Sequence, residues 1–404
     1  MNRIAIYGIG GLYNYGCEAI VRGTVEYIKN VYGNDVRITY YSRNVKYDKT
    51  ITDNLGINII DITQKSSFFR KCISKAIDIL ELPITPFFSK EFDTIINNSD
   101  VIVSVGGDIY TIPKYLRNKK KYRYVNYLVE FGEKAIKAGK KVVIYGASIG
   151  PFGNYDKALN YFINHLRKID QIICREEDSV EYLNKQGITN NVFFLPDPAF
   201  LVGKCGQESE RKYIGINLSE LSLQELYGKL TEDHLLRICN LISDISLQTG
   251  FPLMLIPHVI SPHTVEDNDL LFLEKVIRKL PENIKETTVL VKPANFIDVK
   301  TYLNQCKIVI AARMHCAVNS IIEGTPAIFL AYSQKAKGMA KFIYGDERWC
   351  VPIQNMDNDL LTVIDEFLGD YNNIKTQIDE RNSEISELYK NYFTSFNLKN
   401  EVVD

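Results

Sequence analysis

The sequence predicts an α/β fold of two doubly wound, Rossmann-like domains facing a cleft. Three observations predict it. Short apolar runs alternate with amphipathic segments over most of the 404 residues, the pattern of strands joined by crossover helices in parallel sheets. The second half repeats the plan of the first. A polar, Gly-containing stretch, GKCGQESERK at Gly203–Lys212, separates the halves.

In the first half RIAIYG, VRITYYS, DVIVSVGG, KVVIYGAS, QIICR and VFFLPD read as strands. Helix spacing marks Glu18–Asn30 and Val125–Lys137 between them. In the second half YIGINLS, PLMLIPH, TVLVKP, KIVIAAR and PAIFLAY read as strands, and His234–Gln248, Val265–Leu280, Ile297–Cys306 and Cys316–Glu323 as helices. The expected domains are residues 1–203 and 212–375. A charged helical segment over 376–404 is expected to brace one against the other. Several strands end in Gly, polar or charged residues, where an open α/β sheet places its ligands.

Composition narrows the function. Hydrophobic residues make up 46% and charged residues 24%, with a net charge of −1. A surface built throughout for nucleic acid is therefore not expected. Eight scattered cysteines form no Cys-x-x-Cys pair, so neither a zinc ribbon nor a thioredoxin-type site is signalled. No window approaches 18 consecutive apolar residues, and MNRIAIYGIGG reads as a first strand rather than a signal peptide. A reducing, cytoplasmic setting is expected. Two segments break the pattern. Ser66–Phe92 carries apolar residues at helical spacing beside cations. Lys114–Arg123 packs six cations into ten residues around Tyr115 and Tyr122. A solvated loop is one reading; a contact with a membrane surface or polyanion is the other.

The loop Gly8–Gly16 follows a strand and precedes a helix but is no dinucleotide fingerprint. The third glycine position is Tyr13, and no acid follows the second strand. Walker A, G-x-S-x-G and His-Glu-x-x-His motifs are absent, and five histidines argue against a multi-histidine metal site. Asn14 and Glu18 are polar groups at the helix start, for capping or for a ligand. The strongest constellation is KIVIAARMHCAVNSIIEGTP, where a strand stops at Arg313 and a helix begins. Arg313 and His315 thus sit where helix N–H groups favour an anion. An internal carboxylate is the alternative partner for Arg313. Arg175 repeats the device before Glu176, Glu177 and Asp178. Lys335 and His258 follow further strands, and Asp267 and Asp269 come downstream of His258. Converging cations here would hold a small polyanion.

These pieces together resemble the polysaccharide pyruvyl transferases. The matching segments are NYGCEAI at Asn14–Ile20, VGGDIYT at Val105–Thr111, GASIGPF at Gly146–Phe152 and ICREEDSVEYL. They continue with LPDPAFLV at Leu195–Val202, IPH at Ile256–His258, ARMH at Ala312–His315 and GTPAIFLAYSQK at Gly324–Lys335. Cys17 departs from the pattern, which often has Asp there. The resemblance implies a GT-B-like fold, with phosphoenolpyruvate as co-substrate in place of any cofactor or metal. The product would be a pyruvate ketal bridging two hydroxyls of a saccharide, free or lipid-linked, in cell-surface or capsular polysaccharide synthesis. It implies donor binding by Arg313, His315 and Lys335 on the second domain, with Arg175 of the first. Asn14, Glu18 and Asp108 are assigned to the acceptor on the first. His315 and His258 are the two candidates for proton transfer. A nucleotide-sugar glycosyltransferase and a non-catalytic saccharide- or anion-binding module are the alternatives. The expected location is the cytoplasm, including the inner face of the membrane.

Overall fold

The computed structural model of the chain describes residues 2–63, 77, 89–204, 209–332 and 334–401. The chain divides into two units. The first comprises Met1–Leu12, Ile20–Leu201 and Tyr389–Asp404; the second comprises Tyr13–Ala19 and Val202–Leu388. Residues 1–203 therefore do not stay together. Tyr13–Ala19 is drawn to the second unit by backbone bonds, Tyr15 N to His258 O at 3.1 Å and Ile260 N to Tyr13 O at 3.0 Å. Two helices, Tyr15–Tyr32 and Tyr371–Glu401, run from one unit into the other.

The first unit is built on seven strands: β1 Arg3–Tyr7, β2 Arg37–Ser42, β3 Asn58–Asp61, β4 Val101–Val105, β5 Lys141–Ala147, β6 Gln171–Cys174 and β7 Val192–Phe194. All pair in parallel, in the order β3-β2-β1-β4-β5-β6-β7. Ile4 lies between Ile38 and Val101. The order reverses between β1 and β4, so the crevice for ligands opens beyond their carboxyl ends. Burial on both faces explains why β4, VIVSV, is buried at every position. Aromatic packing fills one layer, with Tyr7 and Phe131 centroids 4.5 Å apart and Phe152 stacked on Phe162 at 4.3 Å. Each such pair contributes about 0.5–1.5 kcal/mol beyond its buried area. The loop after β1 is tied down by the buried Asp48, which accepts from Leu12 N at 2.9 Å and Ser42 Oγ at 2.5 Å. Burial raises its pKa, and these hydrogen bonds oppose the shift.

The second unit has six parallel strands: β8 Tyr213–Asn217, β9 Leu253–Leu255, β10 Thr288–Leu290, β11 Cys306–Ala311, β12 Ala327–Ala331 and β13 Cys350–Pro352. Their order is β10-β9-β8-β11-β12-β13, with the reversal between β8 and β11. Both sheets carry alternating helices, as the sequence predicts. The sequence reading misses β3 and β13, two edge strands of four and three residues. Both are short, so neither carries a long apolar run. The helix expected over Val265–Leu280 begins only at Asp269, because Asn268 caps it by accepting from Leu271 N at 3.1 Å. Cys174, Cys239, Cys306, Cys316 and Cys350 are buried and Cys17 is half-buried, all as free thiols. Cys72, Cys205 and most of Ser66–Phe92 lie outside the described residues.

One glycine tests the packing of the helix Tyr15–Tyr32. A Cβ on Gly23 would lie 1.8 Å from the Pro198 carbonyl oxygen. Gly23→Ala should destabilise the protein by about 1–3 kcal/mol. Gly338→Ala, in the open on the helix Gln334–Tyr344, should stabilise it by about 0.5–1 kcal/mol. Urea unfolding of both variants checks the pair; equal midpoints would refute the packing.

Candidate functional site

A parallel sheet sends every strand end to one edge. In the second unit β9, β8, β11 and β12 therefore deliver His258, Asn217, Arg313 and Lys335 to the same edge, around the reversal point. Asn217, the last residue of β8, fixes the turn after β11. Its Oδ1 accepts from Arg313 N at 2.9 Å, and its Nδ2 donates to Ile256 O at 2.9 Å. Arg313 then caps the helix Met314–Ile322 with an extended backbone.

The Arg313 fork is held by two carboxylates. Nη2 donates to Asp267 Oδ1 at 2.7 Å and Asp269 Oδ1 at 2.9 Å, and Nε donates to Asp269 Oδ1 at 3.2 Å. The alternative partner that the sequence left open, an internal carboxylate, is thus the one present. The Arg313 side chain is 11% exposed, Asp269 fully buried and Asp267 30% exposed. Burial opposes the Arg313 charge, but the two acids outweigh it and raise the pKa. The other Asp269 oxygen accepts from the backbone N–H groups of His258 and Val259 at 3.1 and 3.0 Å.

The two histidines differ in access. His258 is fully buried, edge-on to Tyr15 and Phe296, and neither ring nitrogen has a hydrogen-bond partner among the described residues. Burial holds its pKa well below the usual imidazole range, helped by the charges of His315, Arg313 and Lys300. His258 is therefore neutral at physiological pH. His315 is half-buried, in the first turn of its helix. Gly16 closes on it: a Cβ there would lie 2.6 Å from His315 Nδ1 and 2.8 Å from Cγ.

Asn14 and Glu18, read from sequence as acceptor-side groups of the first domain, lie in this second unit. Asn14 Oδ1 caps its helix by accepting from Gly16 N at 2.9 Å. The buried Glu18 accepts from Phe296 N at 2.7 Å. Lys335 is half-buried, and burial lowers its pKa. Lys300 and Glu323 form a buried pair at 2.9 Å that the sequence did not single out.

Arg175 and Asp108 belong to the first unit, at the carboxyl edge of its sheet. Arg175 is enclosed by acids: Nη1 donates to buried Asp197 at 2.9 Å, and Asp108 and Glu176 stand at 3.7 Å. Its Nε donates to Ser148 Oγ at 3.1 Å, and a Cβ on Gly107 would meet Nη2 at 2.7 Å. Sequence reasoning missed Asn217 and Asp197, although both sit at strand ends in segments it quoted, YIGINLS and LPDPAFLV. Strand-end polar residues carry the signal, but their partners come from distant segments.

Solved structures share this architecture over the whole chain. UDP-GlcNAc 2-epimerase from Neisseria meningitidis bound to UDP-GlcNAc is 11% identical, covers 99% of this chain and 100% of its own, and has a TM-score of 0.60. HepE from Anabaena in complex with UDP and glucose is 12% identical, with 100% and 99% covered and a TM-score of 0.57. The glycotransferase of kitacinnamycin is 11% identical, with 99% and 98% covered and a TM-score of 0.54. These likenesses show the fold, that of the GT-B-like glycosyltransferases and epimerases. The sequence model of one family, polysaccharide pyruvyl transferase, matches residues 14–334. The chain belongs to that family. Amylovoran biosynthesis protein AmsJ of Erwinia amylovora is 22% identical over 310 residues, 72% of this chain and 71% of its own.

Two predictions follow from the geometry. Arg313→Lys keeps the charge but loses the fork, and charged hydrogen bonds contribute about 1.5–3 kcal/mol each. Chemical denaturation should register a loss of that size; an unchanged midpoint would sink the ion-pair reading. The second concerns pH. The His258 pKa is lowered in the folded state, so below about 6.5 the unfolded chain takes up a proton that the native one refuses. Stability should fall as pH drops below about 6.5, until the depressed native pKa is reached. His258→Leu should remove part of that slope. A variant with the wild-type slope would show that another group causes it.

Proposed function

We propose that the protein transfers the pyruvate unit of phosphoenolpyruvate to two hydroxyls of a saccharide, forming a ketal in cell-surface polysaccharide synthesis. One observation carries the reading. Inside the stretch that defines the family, the Arg313–His315 turn brings a guanidinium and a half-buried imidazole to a helix start at the sheet's reversal point. Phosphoenolpyruvate is a compact anion with phosphate and carboxylate, so it needs fixed positive groups. Arg313 Nη2 and Nε are engaged by carboxylates, which leaves Nη1 to meet the donor. Burial lowers the Lys335 pKa, and a bound anion would favour its charged form.

The chemistry balances on two hydroxyl protons. C3 of the enol takes one and becomes a methyl group, which makes C2 electrophilic. The first sugar oxygen bonds to C2, and phosphate leaves with the electrons of the C2–O bond. The second oxygen then closes the ketal, and its proton goes to phosphate. His315 is the group assigned to these transfers, because an imidazole in the first turn of the helix beside Arg313 is placed as a general acid and base. His258, buried and neutral, borders it and adds no competing charge. Neither role calls for a metal.

Purified protein incubated with phosphoenolpyruvate and a panel of saccharide acceptors should release phosphate and yield a product heavier by one pyruvate ketal. Activity should survive exhaustive chelation. Phosphoenolpyruvate, rather than a nucleotide diphosphate, should raise the melting temperature; the reverse result would favour a nucleotide-sugar transferase. His315→Ala should lower kcat about 100- to 10,000-fold. Gly16→Ala, by pushing the imidazole aside, should cost about a hundredfold with little change in melting temperature. Full activity in both variants would remove His315 from the mechanism.

A further inference from the structure

The long connection between β4 and the helix Tyr127–Lys137, residues 106–126, carries a feature that pyruvyl transfer does not use. Loops of this length inside a compact unit are uncommon and usually functional. This one is stapled to the body of the first unit. Asn126 closes its neck, donating from Nδ2 to Ile109 O at 2.8 Å. Arg117 Nε donates to Ile112 O at 2.8 Å, and Asn154 N donates to Arg117 O at 2.9 Å. Tyr122 is buried and donates from its hydroxyl to Phe152 O at 2.8 Å.

Between the anchors Arg117 and Tyr122 lies a four-residue tip, Asn118–Lys121, of which three residues are lysines. The tip is exposed throughout, and so are Lys114 and Tyr115 on the short 3-10 turn beside it. Lys114, Lys119 and Lys120 form no ion pair with any described residue. The Lys119 ammonium lies 5.8 Å from the centroid of the Tyr115 ring. That ring is 73% exposed, more than any other large hydrophobic side chain described as exposed. The scaffold thus holds Lys114, Lys119, Lys120 and an aromatic ring to the outside.

We propose that this loop is a docking surface for an anionic phospholipid bilayer. Lysines pair with lipid phosphates, and a tyrosine ring settles at headgroup depth, apolar body inward and hydroxyl to water. Each cation close to such a surface multiplies partitioning by about fivefold. A single-sign patch with no acid in its ten residues complements a bilayer better than a mixed-charge protein surface. The attraction is screened by salt, because the charges are exposed. The proposal uses none of the side chains assigned to pyruvyl transfer, so either reading can fail without the other.

The test is co-sedimentation of the full chain with two vesicle preparations, phosphatidylcholine alone and phosphatidylcholine mixed with phosphatidylglycerol. The protein should pellet with the mixed vesicles at low salt, stay in solution with phosphatidylcholine alone, and be released by added salt. The triple variant Lys114→Glu, Lys119→Glu, Lys120→Glu should lose at least about a hundredfold in partitioning with an unchanged melting temperature. Tyr115→Ser should weaken binding to the mixed vesicles at low salt. Soluble polyphosphate provides the second arm. Wild-type protein that ignores mixed vesicles but binds polyphosphate would overturn the bilayer assignment. So would a triple variant that pellets like wild type.

Discussion

Asp269 has no access to water, and an isolated buried carboxylate costs several kcal/mol. Five hydrogen bonds offset that cost: two from Arg313, two from the backbone of His258 and Val259, and one from Asn217 at 3.3 Å. These donors come from the ends of β8, β9 and β11, and Asp269 itself opens the helix Asp269–Lys279. One charge therefore holds three strand ends in register with a helix. Losing it would leave Arg313 partly unpaired and release the turn that carries His258. The position of both imidazoles depends on this carboxylate, although it need never touch a ligand.

The first unit uses the same device with a different outcome. Arg175 follows β6 as Arg313 follows β11, and buried Asp197 plays the part of Asp269. Around Arg175 the remaining neighbours are acids and a serine, so its charge is spent inside the protein. Around Arg313 the neighbours include the imidazoles of His258 and His315. The two strand-end arginines look alike in sequence, and their surroundings separate them. His258 marks the difference most sharply. A buried imidazole without hydrogen bonds weakens the fold, and such local losses are tolerated where function requires them.

The alternation of apolar runs and helical spacings was enough to determine the two parallel sheets, because burial on both faces leaves near-continuous hydrophobic strands. The strand-end positions of Arg175, His258, Arg313 and Lys335 were equally legible, since a parallel sheet must gather strand ends at one edge. The family could be read from ordered motifs spread over most of the chain. Tertiary structure alone decided the rest. Asn14 and Glu18 follow β1 in sequence, yet backbone bonds to residues 258–260 and a carboxylate bond to Phe296 place them in the second unit. Arg313 finds its acids 44 and 46 residues away, and only the finished fold shows that they occupy its fork. His258 and His315 share one residue type, and burial is what separates them. Local sequence encodes period and propensity; pairing between distant segments is set when the chain closes on itself.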